Sequence, residues 1–425
     1  MLINELSLTN FRGFTNAQFS FQKGFNLIVG VNGVGKTTAL EALRIALSNI
    51  MPAVTSTKSR KENFSFSDIQ IDKYGLQLNC TLEVNSEPFD LLITKQATPI
   101  HKKESQNIRE QTFQIEDKVE VSPRLINKYS KQKIINQPVA IYYSSYRSLI
   151  TEKTPAKSTA TTGQAGAFAE ALSPKREFNI ALFADWFKAQ EALAKENKKY
   201  IYILEIIRNA IYTFLPSFKN LEVIKDPLRK TTGYTFIIEK KDKKLNLSQL
   251  SDGERGVLSM VMDISRRLSL ANPTMSNPLE GTGVVLIDEL DLHLHPKWQR
   301  TIISDLSRTF PNLQFIATTH SPQSISALSP DRIQIVDMEN EVENPIRSFG
   351  LDMNSILKFV MEDKDRIGQS EQAIQKVEKL VDKLAFEKAR KQIRKYKKEG
   401  LDLTEWAVFE ARMANLEILG NEEDN

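Results

Sequence analysis

Nine residues, Gly30-Val31-Asn32-Gly33-Val34-Gly35-Lys36-Thr37-Thr38, carry the spacing G-x-x-x-x-G-K-[ST] between an apolar run and an apolar-periodic one. Glycine backbone can bring its N–H groups close to phosphate oxygens, a lysine ammonium adds charge to the terminal phosphates, and the next hydroxyl can ligate a divalent cation. Asn32, Gly33, Val34, Gly35, Lys36, Thr37 and Thr38 are therefore candidate ATP-phosphate ligands, with Thr37 also a candidate Mg²⁺ ligand. Asp288 and Glu289 follow the apolar run Val284-Val285-Leu286-Ile287. Two acids after a buried strand suit phosphoryl chemistry: Asp288 is placed to hold Mg²⁺ through its water shell, and Glu289 to orient or polarise the attacking water. Ser251 and Glu254, ahead of the periodic run from Val257 to Ala271, form a capping-box pattern. A helix start containing Gly253 is also an anion site, because its free N–H groups and positive dipole end favour phosphate, so Ser251, Gly253 and Glu254 are candidate nucleotide-binding residues. The plainer alternatives are a glycine-rich turn, a solvated acidic turn and a simple helix cap.

These groups need strands and helices to aim them. Residues 1–21 alternate apolar and polar as a β-hairpin, 25–30 read as a buried strand, and 36–49 as the helix after it. After a polar loop near 51–67, the runs LQLNCTLEV, FDLLITKQ and TFQIEDKVEV read as antiparallel strands and VAIYYSSY as another buried strand. The Thr/Ala/Ser/Gly/Pro-rich stretch 153–175 reads as a mobile loop, poorly ordered in any structure. Residues 178–215 carry helical spacing up to Pro216, and strands return before the Ser251 helix, which is expected to reach about Ala271. GVVLIDEL, PKWQRTIISDLSRTF and LQFIATTH then alternate strand, helix, strand as a parallel α/β core requires. Beyond 350, amphipathic stretches separated by Gly400 suggest a C-terminal helical hairpin. On it Ile374, Val377, Leu380, Val381 and Leu384 form an apolar stripe that an isolated hairpin could not hide.

Bulk properties narrow the class. In 425 residues, 57 Lys+Arg against 53 Asp+Glu leave a net charge of +4, too slight to argue strong nucleic-acid binding. One cysteine, Cys80, excludes an intramolecular disulfide framework and multi-cysteine metal centres, fits a reducing cytosol, and reads as a buried strand residue. With no signal-peptide pattern and no apolar run near the roughly 18 residues of a membrane span, the expectation is a cytoplasmic protein off the membrane.

In order, NFRGF, GVNGVGKTT, LSDGERG, VVLIDE and TTHSP resemble the motif series of ABC-type ATPases of the RecF/SMC/Rad50-like branch. That resemblance implies an α/β fold: a P-loop ATPase head with an antiparallel β lobe and a compact helical insertion. It implies a homodimer with composite ATP sites, in which Ser251 and Gly253 of one subunit meet the γ-phosphate bound by the other. His320 takes the place of the switch histidine, donating a hydrogen bond to the γ-phosphate, and Asp291–Pro296 that of the D-loop. Arg12 resembles a basic residue approaching the nucleotide, with a surface charge on the hairpin as the alternative. Arg147 is a weaker candidate of that kind, and Gln70 only a guess at the Q-loop residue. His293 and His295 are spaced like metal ligands but lack a third convergent ligand, and a dimer-interface role is preferred. Asp252 and Glu254-Arg255 depart from L-S-G-G-Q, which argues against a transporter subunit.

LSDGERGVLSMVMDISRRL, VVLIDELDLHLHPKWQR and FPNLQFIATTHSPQSISAL are similar to ATPases of bacterial anti-phage systems, the Septu/retron-associated type first and the PARIS ATPase second. The resemblance covers about residues 1–345 as the ATPase domain, with the insertion at about 150–240, and leaves 346–425 as a helical region for assembly or partner docking. It implies an ATP-controlled scaffold for a separately encoded HNH-type nuclease, a higher homo-oligomer, and nucleic acid reached through the complex. A repair or chromosome-associated ATPase acting directly on DNA is the alternative. The helical tail lacks the Glu and Asp-x-Asp pattern of a nuclease domain.

Overall fold

A computed structural model describes residues 1–57, 59–100, 112–129, 135–145, 150–151, 163–176, 178–225, 234–353, 355–356, 368–401, 403 and 405–422. The chain divides into two compact units, Met1–Met361 and Glu362–Asn425. In the first, Leu2–Phe11 (β1), Phe14–Ser20 (β2), Gly75–Val84 (β4), Glu87–Ile100 (β5) and Thr112–Val121 (β6) form an antiparallel sheet ordered β2-β1-β4-β5-β6. Alternation drives it: along β4, Leu76, Leu78, Cys80, Leu82 and Val84 are buried while Gln77 and Asn79 face water. Cys80 is a buried strand residue, as its sequence context indicated.

The second sheet runs Val342–Glu343 (β16), Ile333–Val336 (β15), Phe25–Val29 (β3), Leu313–Thr318 (β14), Gly283–Ile287 (β13) and Val139–Tyr143 (β7). All its pairs are parallel except β15 with β16. Every residue of β3, β7, β13 and β14 is buried, the signature of a parallel sheet covered on both faces. Lys36–Val54 (α1) packs on β7, β13 and β14 and also on β5 and β6, so it lies between the two sheets. Pro123–Tyr129 (α2) packs on α1; Asp252–Ala271 (α5) packs against β7; Pro296–Thr309 (α6) and the short Pro322–Ile325 (α7) flank β14 in sequence.

The insertion comprises a short parallel pair, Ile150–Thr151 (β8) with Phe178–Asn179 (β9), the helices Ile180–Ala194 (α3) and Lys198–Phe214 (α4), and an antiparallel sheet of Phe218–Lys225 (β10), Tyr234–Lys240 (β11) and Lys243–Asn246 (β12). Phe183 and Phe187 of α3 meet Phe236 of β11 at centroid distances of 5.3 and 5.6 Å, which fixes helix to sheet. The expected mobile loop is corrected over residues 163–175. Ala167, Phe168 and Ala171 are buried, and Arg267 Nη1 donates to the carbonyls of Ala167 and Ala169 at 2.7 and 3.1 Å. Small side chains give no hydrophobic period, yet they let those carbonyls reach a buried guanidinium. The rest of that stretch, 153–162, lies outside the described residues, as does most of the MNSILKFVME segment.

Among its described residues the second unit holds three helices, Gly368–Asp382 (α8), Phe386–Lys398 (α9) and Glu405–Glu422 (α10), around its own small core of Ala373, Val377, Val381, Ala389, Ile393, Trp406, Phe409 and Met413. The expected hairpin gains a third helix because the amphipathic stretch before Gly400 breaks at Leu384. That residue adopts φ 55°, and the Ala385 N–H donates to the Leu380 carbonyl at 2.9 Å, the six-to-one bond that ends a helix at a left-handed residue. The apolar stripe is covered within the unit. Val377 and Val381 are fully buried, Ile374 and Leu380 pack beside them, and Leu384 is 65% exposed at the turn. No helix among the described residues is long and apolar enough to cross a membrane.

Candidate active site

The loop from β3 to α1 is bent by glycines at φ 148° (Gly30), 91° (Gly33) and 103° (Gly35), conformations closed to most side chains. A Cβ on Gly30 would lie 2.3 Å from the Val336 carbonyl of β15, and one on Gly35 would lie 2.8 Å from the Phe14 ring. Strand β15 and the β1–β2 hairpin thus fix the loop from two sides. Asn32 and Gly33 face solvent, Val34 is buried, and Thr38 is half-buried. Lys36 folds back so that Nζ donates to the carbonyls of Gly30 at 2.9 Å and Val31 at 2.8 Å. Burial lowers its pKa from the ordinary lysine value, and the carboxylates of Asp288, Glu289 and Asp291 oppose that shift.

Because β14 lies between β3 and β13, the ends of all three strands converge at the carboxyl edge of the sheet, where α/β folds bind ligands. Thr37 Oγ1 donates to Asp288 Oδ1 at 3.1 Å and lies 3.2 Å from Oδ2. Thr318 Oγ1 donates to the same Oδ1 at 2.8 Å and accepts the Glu289 N–H at 2.7 Å. Glu289 adopts φ 50°, a left-handed conformation held by neighbours on both sides, since the Asp288 N–H donates to the Tyr143 carbonyl and the Leu290 N–H to the Thr318 carbonyl, each at 2.8 Å. Asp291 Oδ1 accepts from Thr319 Oγ1 at 2.5 Å and from the His320 N–H at 3.2 Å. Burial and the Lys36 charge hold the His320 imidazole below its ordinary value, against the pull of Asp291, Glu289 and Asp288. The shift favours the neutral imidazole, which has one N–H to donate.

A hydroxyl and a carboxylate converging this closely offer hard oxygen ligands that suit Mg²⁺ completed by water and phosphate. Among the described residues no group of three or more His, Cys, Asp or Glu could hold a metal unaided. His293 and His295 gain no third ligand. His295 Nδ1 accepts from the Lys297 N–H at 3.2 Å as the cap of α6, and the His293 carbonyl lies 2.4 Å from where a Gly253 Cβ would stand.

At the start of α5, Glu254 Oε2 accepts from the Ser251 N–H at 3.1 Å and from Ser251 Oγ at 3.0 Å, while Oε1 is paired with Lys240. Burial raises the Glu254 carboxyl, but the Lys240 and Ser251 donors outweigh it and leave the pKa below the ordinary value. Glu254 thus caps the helix with one oxygen and pairs with Lys240 through the other. Asp252, an anion at this helix start, is paired with Arg255. Ser251, Asp252, Gly253, His293, His295 and Trp298 line one open depression, and no phosphate-loop residue lines it. Arg12 Nε donates to Asp68 Oδ1 at 2.8 Å, and Gln70 Nε2 donates to Thr15 Oγ1 at 3.0 Å, so both act on the hairpin that covers the loop. Arg147 lies outside the described residues. Sequence reasoning passed over Thr318, and took Asp291 only as the start of the D-loop, not as the acceptor that holds Thr319 and His320. The signal was present in two threonines closing a strand before His320 and an acid three residues after Asp288.

Glycine loop, lysine, strand-end carboxylates and neutral histidine define a P-loop ATPase. The chain belongs to the family described as "AAA domain, putative AbiEii toxin, Type IV TA system", which matches residues 25–326. It is similar to the retron Vc95 probable ATPase of Vibrio cholerae serotype O1 biovar El Tor, 27% identical over 391 residues, 79% of this chain and 73% of that one. The retron Ec83 probable ATPase of Escherichia coli is 27% identical over 451 residues, 92% of this chain and 82% of that one. The Septu protein PtuA of Bacillus thuringiensis is 23% identical over 410 residues, 91% of each chain.

Proposed function

We propose that the chain is the ATPase subunit of a bacterial anti-phage complex, closing on ATP as a head-to-tail homodimer to hold, position or release a separately encoded HNH-type nuclease. The observation that carries this reading is the separation of the two half-sites. Lys36, Thr37, Asp288, Glu289 and His320 meet at one sheet edge. Ser251 and Gly253 open on a depression of their own, beside His293 and Trp298. A helix start whose depression is not lined by the phosphate loop of its own chain is suited to the phosphate held by a second one.

In that assembly the Lys36 ammonium exchanges the Gly30 and Val31 carbonyls for terminal phosphate oxygens. Glu289 orients a water in line with the γ-phosphorus, and the P–O bond to the ADP leaving group breaks as the new one forms. His320 and the partner's helix start hold charge developing on the γ-phosphate oxygens. Mg²⁺ held by Thr37 and Asp288 would neutralise part of that charge.

Mixing Lys36→Ala with Ser251→Arg tests the arrangement, because one composite site in a mixed dimer then has both halves intact. Partial recovery of hydrolysis is expected; no recovery under verified subunit exchange overturns head-to-tail pairing. For the partner, co-expression with the adjacent reading frame should yield a complex whose stability changes with ATP. A second reading, direct action on DNA, draws support from α9, where Lys388, Lys391, Arg394 and Lys398 are exposed. It expects DNA binding by the chain alone with steep salt dependence, relieved by Lys391→Glu and Arg394→Glu.

A further inference from the structure

Tyr143 ends β7, where it stands opposite Ile287 of β13, and its carbonyl accepts the N–H of Asp288 at 2.8 Å. Successive strand residues face opposite layers. The Tyr142 ring accordingly lies under Arg44 of α1, 5.9 Å from centroid to guanidinium, while the Tyr143 hydroxyl donates to Asp263 Oδ2 of α5 at 2.8 Å. Asp263 also accepts from Arg176 Nη1 at 2.8 Å and from Arg267 Nε at 3.0 Å, and Arg176 sits 4.8 Å from the Tyr143 ring centroid. Tyr143 and Asp263 are 5% and 8% exposed. Although burial raises the Asp263 carboxyl, Arg176 and Arg267 outweigh it and hold the group far below the usual range; burial and the Asp263 charge raise the Tyr143 phenol. The hydroxyl therefore keeps its proton and its acceptor stays ionised throughout the physiological range. A buried, charge-assisted bond of this kind fixes geometry more tightly than packing alone.

Asp263 stands twelve positions beyond Ser251 on the same helix, about 18 Å at 1.5 Å per residue. A shift at the α5 N-terminus thus arrives at the Tyr143 hydroxyl as a rigid-body movement, and Tyr143 bonds directly to the backbone that carries the two strand-end acids. We infer that Tyr143 is a positioning residue that couples the two ATP sites of the dimer: engagement of α5 at the partner's nucleotide sets Asp288 and Glu289 of the residue's own subunit. This rests on the head-to-tail reading, in which α5 serves one site and Asp288 the other.

Cooperativity is the readout, because a residue with a merely structural role would leave it unchanged. The parental protein should hydrolyse ATP with a Hill coefficient of about 1.5–2, against a limit of two for two sites. Tyr143→Phe keeps the ring and should bring the coefficient to about 1, with ATP-analogue binding within about threefold of parental and a melting temperature lower by only about a few degrees, since Asp263 keeps Arg176 and Arg267. Tyr142→Phe, the same deletion on the opposite face, should keep the parental coefficient. A non-cooperative parent, parental cooperativity in Tyr143→Phe, or equal loss in both variants overturns the coupling. Rescue in the Lys36→Ala and Ser251→Arg mixture alongside any of these results would sink the coupling alone, whereas absence of rescue would sink the head-to-tail reading beneath it.

Discussion

Glu289 combines a left-handed φ of 50° with a place beside Asp288, and a strained carboxylate next to a metal-type ligand is best explained by chemistry. Glu289→Gln keeps the shape and should slow hydrolysis by about a hundredfold or more while ATP binding persists. Lys36→Ala should abolish binding measured by calorimetry. Gly30→Ala tests the loop itself. Its Cβ would press on the Val336 carbonyl from a φ of 148°, so a loss of about 3 kcal/mol is expected in denaturant unfolding. His320 supplies a pH dependence. A base whose folded pKa lies below its unfolded value of 6.5 binds fewer protons when folded, so stability is full above 6.5 and falls as pH drops toward the folded pKa. The melting temperature should decline less between about pH 7 and pH 5 in His320→Gln than in the parent; equal slopes would remove His320 from this role. Lys36, Thr37, Asp288, Glu289 and His320 were legible because each sits in a contiguous motif. The Thr318–Asp288, Asp291–Thr319 and Tyr143–Asp263 bonds were not. They join residues of common types across 30, 28 and 120 positions, and no local period encodes such a pairing.

Among the elements, α5 separates two roles of one residue. Ser251 caps the helix, so Ser251→Ala should cost about 1 kcal/mol. Ser251→Asn keeps a good cap and places no second anion against Glu254, so stability should stay near parental, but it sets a bulkier side chain where a partner's phosphate would arrive, and hydrolysis should fall while stability does not. Parallel loss of both would reduce Ser251 to a cap. The strands of both sheets were readable from alternation and from uninterrupted apolar runs, as was the extent of α5 to Ala271. The break at Leu384 was not, because nothing in Lys-Leu-Ala-Phe resembles a glycine or proline stop; the small core around Trp406 imposes it. Leu384→Gly should therefore raise the stability of the second unit by about 0.5–1 kcal/mol in thermal melting, as the left-handed position loses its Cβ penalty.

For the whole molecule, the place to cut matters. Ile356 is fully buried and Ser348 Oγ donates to the Leu328 carbonyl at 2.7 Å, so residues just beyond 345 belong to the first unit's fold. Truncation after Met361, where the two units divide, should keep nucleotide binding yet change the mass of the assembly or its capture of a co-expressed nuclease. Unchanged mass and capture would end the assembly role proposed for the C-terminal helices.

The strand order of the parallel sheet also sets a timetable for synthesis. Strand β3 ends at Val29, yet its two neighbours in the sheet begin at Leu313 and Ile333. At roughly 5–20 residues per second, the phosphate loop leaves the ribosome about 15–60 s before the strands that flank it. The β lobe, whose adjacent strands β4 to β6 are joined locally, can form meanwhile; the central strand waits with its apolar faces uncovered. A nascent chain halted anywhere short of β14 therefore carries every residue of the glycine loop and no site for ATP.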